Sequence, residues 1–242
     1  QACFQIILHS QHYTFMVTLE LATWSKMSSM NGVFITGSNT EVGKTTVAVE
    51  IIKFLKKRRQ IVVRKPVETD CEILNGSYVP KDAIKLNKAC ASEESLDLVC
   101  PFCYELEASP EEASLHAERP LELSDLVKAC QSNVGKKFVF IEGAGGIYSP
   151  IANNALNSDL AVELGVPIII VIKDELGAIG QALLTINAAK AQKLDIVCIV
   201  LNEMESNHLA NAKALRSYTE IPVLEFSKDK QGLFCSEIEK LI

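Results

Sequence analysis

Gly37-Ser38-Asn39-Thr40-Glu41-Val42-Gly43-Lys44-Thr45-Thr46 is the stretch that decides the fold. An apolar run, Val33-Phe-Ile-Thr36, precedes it. A segment with Val47, Ile51, Ile52 and Leu55 on one helical face follows it. Strand, small-residue loop and helix together let backbone N–H groups and a helix N-terminus close around phosphate oxygens. Asn39, Thr40, Glu41, Val42, Gly43, Lys44, Thr45 and Thr46 are therefore read as a nucleotide-phosphate cradle. Lys44 is expected to reach the β and γ phosphates, and the Thr45 hydroxyl to ligate Mg2+. Gly37 stands one residue further from Gly43 than in the common pattern, and Ser38 holds the usual first-glycine place, so the loop is a variant. Switches, ATPases, kinases and ligases all use such a loop, so other polar positions must choose among them.

Outward from the loop, apolar runs alternate with helix-length segments. Strands are expected at Ile61–Arg64, Phe138–Ile141, Pro167–Ile172, Ile196–Leu201 and Val223–Phe226. Helices are expected at Thr45–Arg58, from Asp82, from Pro110, from Ser124 or Asp125, and at Leu156–Leu164, Ala178–Ala191, Asn207–Tyr218 and Ser236–Leu241. This alternation implies an α/β fold of the P-loop type: a largely parallel central sheet with helices on both faces. No Pro/Gly-rich linker divides the chain, so residues 31–242 are read as one domain. Residues 1–30 mix Gln, His, Ser, aromatics and Met without a clean period and are expected to be a non-native or disordered extension. Met27 or Met30 would then be the functional start. An extra strand or helix on the domain is the alternative.

In doubly wound folds ligands sit at the carboxyl ends of the strands. Lys65 falls there in Arg64-Lys-Pro-Val-Glu-Thr69, Glu142 falls there before Gly-Ala-Gly-Gly146, and Asp82 opens a helix that can face the same crevice. Thr45, Asp82 and Glu142 together would make an oxygen site suited to hydrated Mg2+. The bland readings are a solvated lysine, a loop carboxylate and a plain helix cap. Asn202 ends a strand and could read a purine edge or merely cap a turn.

Charge and composition exclude other classes. Basic residues number 24 against 30 acidic ones, a net charge of −6, which speaks against a general nucleic-acid or anionic-membrane binder. No apolar run is long enough to span a bilayer. Eight cysteines show no disulfide framework and read as free thiols in a reducing, cytoplasmic setting. Cys100-Pro-Phe-Cys103 lacks the further ligands or helix context of a metal or redox site and is read as coincidence. The four histidines have no ligand spacing.

Several motifs together resemble those of the dethiobiotin synthetase family. The variant loop Gly37 to Thr45, Lys65-Pro-Val67 with Thr69 beyond it, Asp82-Ala83, Glu142 to Gly146 with Tyr148-Ser-Pro150, Leu176-Gly-Ala-Ile179 and Asn202 each look like a family motif in order. The resemblance runs from about Val33 to Pro222. It implies ATP as co-substrate, Mg2+ as cofactor, and a diamine, 7,8-diaminononanoate, carboxylated by CO2 to a carbamate. Phosphorylation of the carbamate and attack by the second amine would close a cyclic urea. It further implies Lys44, Lys65 and Thr69 as the groups acting on the carbamate, Thr45, Asp82 and Glu142 on Mg2+, and Glu142 and Asn202 with the loop on the nucleotide. A homodimer is also implied, the segment near Ala152 to Asn157 of one copy serving the other. Departures are Ser109-Pro-Glu111, where the family often has His third, and Gly180-Gln181, where it often has Asn-His. Alternatives are a partitioning-type ATPase switch, a cobyrinate-type amide ligase, for which the chain lacks room, and a non-enzymatic nucleotide-dependent interaction protein.

Overall fold

A computed structural model gives the chain's fold and describes residues 6–10, 13–17, 30–91 and 94–242. Six strands form one parallel sheet: β1 Gly32–Gly37, β2 Ile61–Arg64, β3 Phe138–Glu142, β4 Ile168–Lys173, β5 Ile196–Asn202 and β6 Val223–Phe226. Their spatial order is β2-β3-β1-β4-β5-β6. Phe34 in β1 pairs with Ile141 of β3 on one side and Ile168 of β4 on the other. The chain winds from β1 to the β2 edge, returns through β3, then crosses to β4 beyond β1. The winding reverses around β1, so the crevice that takes ligands opens at its carboxyl end.

The strands are largely apolar because both faces of the sheet are covered. Successive side chains go to opposite sides. Val33, Ile35, Val63, Phe140, Ile169, Val171 and Val200 pack into one core, and Phe34, Val62, Ile141, Ile168, Ile170 and Ile199 into the other. The first core takes α1 Lys44–Leu55, α2 Lys81–Cys90 and the last helix, Gln231–Ile238. The second takes α3 Pro110–His116, α4 Leu123–Gln131, α5 Asn157–Leu164, α6 Ala178–Ala191 and α7 Asn211–Leu215.

The last helix, expected over Ser236–Leu241, runs instead over Gln231–Ile238. Other differences lie where side chains compete with the backbone. The helix expected over Asn207–Tyr218 covers only α7. Asn207 Oδ1 accepts from Leu209 N and its Nδ2 donates to the Asp174 carbonyl, which holds a local turn instead. Asp82 is not a cap; Pro80 is the residue before α2 and offers no side-chain acceptor. Three short pairings escaped the pattern: Val67–Glu68 with Phe102–Cys103, Glu72–Leu74 with Ser77–Val79, and Pro150–Ala152 with Ala155–Leu156.

The expectation for residues 1–30 lies largely outside the described residues. Ile6–Ser10 and Tyr13–Val17 pair antiparallel as a two-stranded sheet of their own, and Met30 packs against the second core. Cys3, His12 and Met27 lie outside the described residues. Among the described residues, seven cysteines are free and all are buried. Cys100 and Cys103 lie with their sulfurs 3.7 Å apart. No described helix is long and apolar enough to cross a membrane.

Candidate active site

The loop leaves β1 at Gly37 and enters α1 at Lys44. Ser38 N donates to the Val171 carbonyl, anchoring the departure on β4. Gly43 is required at the entry to α1: its φ is +86°, and an added Cβ would lie 2.0 Å from Asn202 Nδ2. Gly146 is required for a different reason. A Cβ there would come within 2.8 Å of the Ser38 carbonyl oxygen, so the Gly143–Gly146 turn can lie against the loop only without one. Asn157, fully buried, holds that turn: its Oδ1 accepts from Ala144 N and its Nδ2 donates to the Ala144 and Ser149 carbonyls.

Glu142 is the hub. Its Oε1 accepts from Thr45 Oγ1 at 2.9 Å and from Lys65 Nζ at 3.0 Å. Lys65 Nζ also donates to the Gly143 carbonyl at 2.8 Å. Lys44 Nζ folds back on the Asn39 carbonyl at 2.9 Å. Burial opposes the charge on both lysines. For Lys44, burial and then repulsion from Lys65 win, and its pKa falls to about 8. For Lys65, burial is outweighed by Glu142, Asp82 and Glu68, and its pKa is raised. Burial likewise opposes ionisation of Asp82, but Lys65 and then Lys85 outweigh it and lower its pKa.

These groups line one cleft of about 890 Å³, a size suited to a nucleotide and a small second substrate. Asn39 through Thr46, Lys65, Thr69, Asp82 and Glu142 all stand on its wall. Asn202 does not. It is buried behind the loop, with Nδ2 donating to the Val42 carbonyl at 2.8 Å. Sequence reasoning missed Glu68 and Gln181, which also line the cleft. Gln181 Oε1 accepts from Ser38 Oγ at 3.0 Å, a contact across 143 positions that no local pattern reveals. Of the two departures noted in the sequence, Gln181 thus touches the loop, while Glu111 Oε1 accepts from Asn154 N.

The donor set fits a magnesium ion. Glu142 Oε2 is buried and has no hydrogen-bond partner among the described residues, and Thr45 and Asp82 add a hydroxyl and an ionised carboxylate. Among the described residues no cluster of three or more His, Cys, Asp or Glu side chains could hold a metal. That excludes an all-protein cage there, but Mg2+ ordinarily uses one or two carboxylates, with water and substrate phosphates.

A phosphate loop at the switch point of a parallel sheet, facing two lysines and two carboxylates, defines a P-loop nucleotide-binding protein of the doubly wound α/β class. A family model described as an AAA domain matches residues 31–225. The ATP-dependent dethiobiotin synthetases of Vesicomyosocius okutanii subsp. Calyptogena okutanii and Ruthia magnifica subsp. Calyptogena magnifica are each 46% identical over 213 residues, covering 88% of this chain and 97% and 99% of theirs. That of Thermodesulfovibrio yellowstonii is 31% identical over 83% of this chain and 92% of its own. The chain belongs to the ATP-dependent dethiobiotin synthetase family and is an ATP-dependent ligase. Among solved structures, a putative plasmid partition protein from Borrelia burgdorferi bound to AMPPNP has a TM-score of 0.52 at 14% identity, covering 88% of this chain and 96% of that one. A ParA family ATPase from Chlorobium tepidum has 0.51 at 12%, covering 87% and 91%. At such identity these share the fold alone, so the switch alternative gains nothing from them.

Proposed function

We propose that the chain forms dethiobiotin from 7,8-diaminononanoate, CO2 and ATP, releasing ADP and phosphate. The observation that carries this reading is the convergence of Lys44 and Lys65 on one cleft wall with Thr69, Asp82 and Glu142. An anionic carbamate must approach an anionic γ-phosphate, and two cations are needed to hold them together.

One amine of the diamine takes up CO2 and loses a proton, giving a carbamate. Thr69 donates to the carbamate, and Lys65 holds its charge beside the nucleotide. A carbamate oxygen attacks the γ-phosphorus as the bond to ADP breaks, with Lys44 on the phosphates throughout. The second amine then attacks the carbonyl of the mixed anhydride, phosphate leaves, and the ring closes. Thr45, Asp82 and Glu142 would hold Mg2+, which when bound neutralises charge on the β and γ phosphates. Asn202 serves the nucleotide through the loop, its nitrogen holding the Val42 carbonyl from behind.

A homodimer is supported by apolar side chains left exposed on and beside α6. Leu184 in the helix and Leu176 in the turn before it are 73% and 88% exposed, and Tyr148, 46% exposed, lies on α6 through a hydrogen bond to the Ala188 carbonyl. Free, buried cysteines suit a reducing compartment, and we read the chain as cytoplasmic.

The test is a reaction of purified protein with ATP, Mg2+, bicarbonate and 7,8-diaminononanoate, followed by mass spectrometry. Product carrying one added carbonyl and two fewer hydrogens, with diamine-dependent phosphate release lost in Lys44→Ala, is expected. Diamine-independent ATP hydrolysis without that product would overturn the reading.

A further inference from the structure

Helix α2 starts in an unusual way. The residue before it, Pro80, has no side-chain acceptor, yet the N–H groups of the first turn are not left bare. Glu68 supplies the acceptors from another part of the chain. One carboxylate oxygen takes the N–H of Asp82 at 2.9 Å, and the other takes the N–H of Ala83 at 3.0 Å. These second and third helical N–H groups are the ones a capping side chain ordinarily serves. A negative charge at that end is also favoured by the helix dipole.

The clamp is held firmly on its own side. Glu68 is buried and lies in the short parallel pairing of Val67–Glu68 with Phe102–Cys103. Its peptide carbonyl accepts from Tyr104 N at 3.0 Å and from Cys71 Sγ at 3.4 Å. An aspartate in the first turn of a helix commonly turns back onto free backbone N–H groups. With those groups already taken, the Asp82 carboxylate is free to pair with Lys85 at 3.0 Å on the wall of the cleft that Thr45 also lines. Glu68 is also the immediate neighbour of Thr69.

We propose that Glu68 is a positioning residue for the metal site: by capping α2 from the strand segment that leads to Thr69, it fixes Asp82 on the cleft wall that Thr45 and Glu142 share. This rests on the reading of Thr45, Asp82 and Glu142 as the Mg2+ site. It adds that the segment serving the carbamate and the segment serving the metal are one rigid unit, joined through two hydrogen bonds. Both Glu68 carboxylate oxygens are engaged by the backbone of α2.

Mn2+ is the probe, read by paramagnetic resonance in the presence of a non-hydrolysable ATP analogue. Analogue affinity is measured separately in EDTA. Glu68→Ala is expected to weaken Mn2+ binding by roughly tenfold or more, the usual consequence of losing a group that orients a metal ligand. Metal-free nucleotide affinity should stay within about twofold. Glu68→Gln keeps one carboxylate-like acceptor and should fall between, and it carries the test if the alanine variant does not fold. Unchanged Mn2+ affinity in the Glu68 variants, even with a lower melting temperature, reduces Glu68 to an ordinary cap and overturns the proposal. Asp82→Asn separates the two ideas. If it weakens Mn2+ while the Glu68 variants do not, only this proposal fails. If Asp82→Asn leaves Mn2+ unchanged, the metal-site reading fails and this proposal falls with it.

Discussion

The Lys65 ammonium stands 3.0 Å from the Glu142 carboxylate, with both side chains almost wholly buried, at 5% and 1% exposure. Such a pair is not a strong source of stability when intact. Removing one partner, however, strands a charge and costs about 3–5 kcal/mol. Lys65→Met should therefore destabilise the ligand-free protein by that order, and Lys65→Met/Glu142→Gln by clearly less than the sum of the single changes. Urea unfolding of the four proteins measures the coupling. Simple additivity would mean that the two groups do not act as a pair. Turnover of Lys65→Met should drop by about 10²–10³, as for loss of a charge aimed at the transition state.

Lys44 makes the nucleotide site pH-dependent. Burial, then the neighbouring Lys65, bring its pKa from 10.5 to about 8 in the ligand-free protein. Phosphates bind the protonated form. ATP affinity should be full below that value and fall as pH rises through it, by about tenfold at one unit above. Calorimetry in buffers of different ionisation enthalpy should show proton uptake on binding near pH 8, abolished in Lys44→Ala. Stability moves the other way. Between about 8 and 10.5 the unfolded chain holds a proton that the folded chain has released, so the Lys44 contribution to stability rises with pH across that window. Weakened ATP binding from an intact fold is therefore the expected signature. Constant affinity across that window would show that Lys44 is not depressed.

Arg64 is the largest fully buried side chain among the described residues, and it ties the β2 edge to its surroundings. Its guanidinium meets Glu94 Oε2 at 2.9 Å and Oε1 at 3.3 Å, and donates to the Ser132 carbonyl at 2.6 Å. Arg64→Ala leaves Glu94 and that carbonyl short of a donor and opens a cavity. A loss of about 3–5 kcal/mol is expected. Arg64→Lys should recover only part, since an ammonium cannot make the forked contact. Thermal unfolding decides it, and a lysine variant as stable as the parent would contradict the role given to the fork.

Most of the sheet was legible in the sequence because most of its strands are apolar runs bounded by turn residues. Pro167–Ile172 was such a run, and the strand found is Ile168–Lys173, whereas Val223–Phe226, interrupted by Glu225, was a weak signal. The phosphate loop was legible because its chemistry is local: one unbroken run from Gly37 to Thr46 carries it. Glu68 was not. It sits in plain view between Lys65 and Thr69, but its two hydrogen-bond partners lie 14 and 15 positions away, and nothing in the spacing announces them. Asn207–Tyr218 misled for the opposite reason. Its helical period is genuine, but Asn207 offers the backbone a local alternative that a hydrophobic pattern does not register.

Gly43 and Asn202 give the last test, because two separate costs meet at one position. Gly43→Ala puts a side chain where φ is +86°, which costs about 1–2 kcal/mol in itself, and drives its Cβ into Asn202 Nδ2. Together these should reduce ATP affinity by at least about tenfold, since about 1.4 kcal/mol is already a factor of ten. Asn202→Ala alone removes the hydrogen bond to the Val42 carbonyl and should cost about 0.5–1.5 kcal/mol. The double variant discriminates. Without Asn202 the collision is gone but the backbone strain remains, so Gly43→Ala/Asn202→Ala should bind ATP better than the two single losses multiplied together, yet worse than Asn202→Ala. If the double variant matches Asn202→Ala, the strain at Gly43 is negligible. If the losses simply multiply, Asn202 does not press on the loop at Gly43.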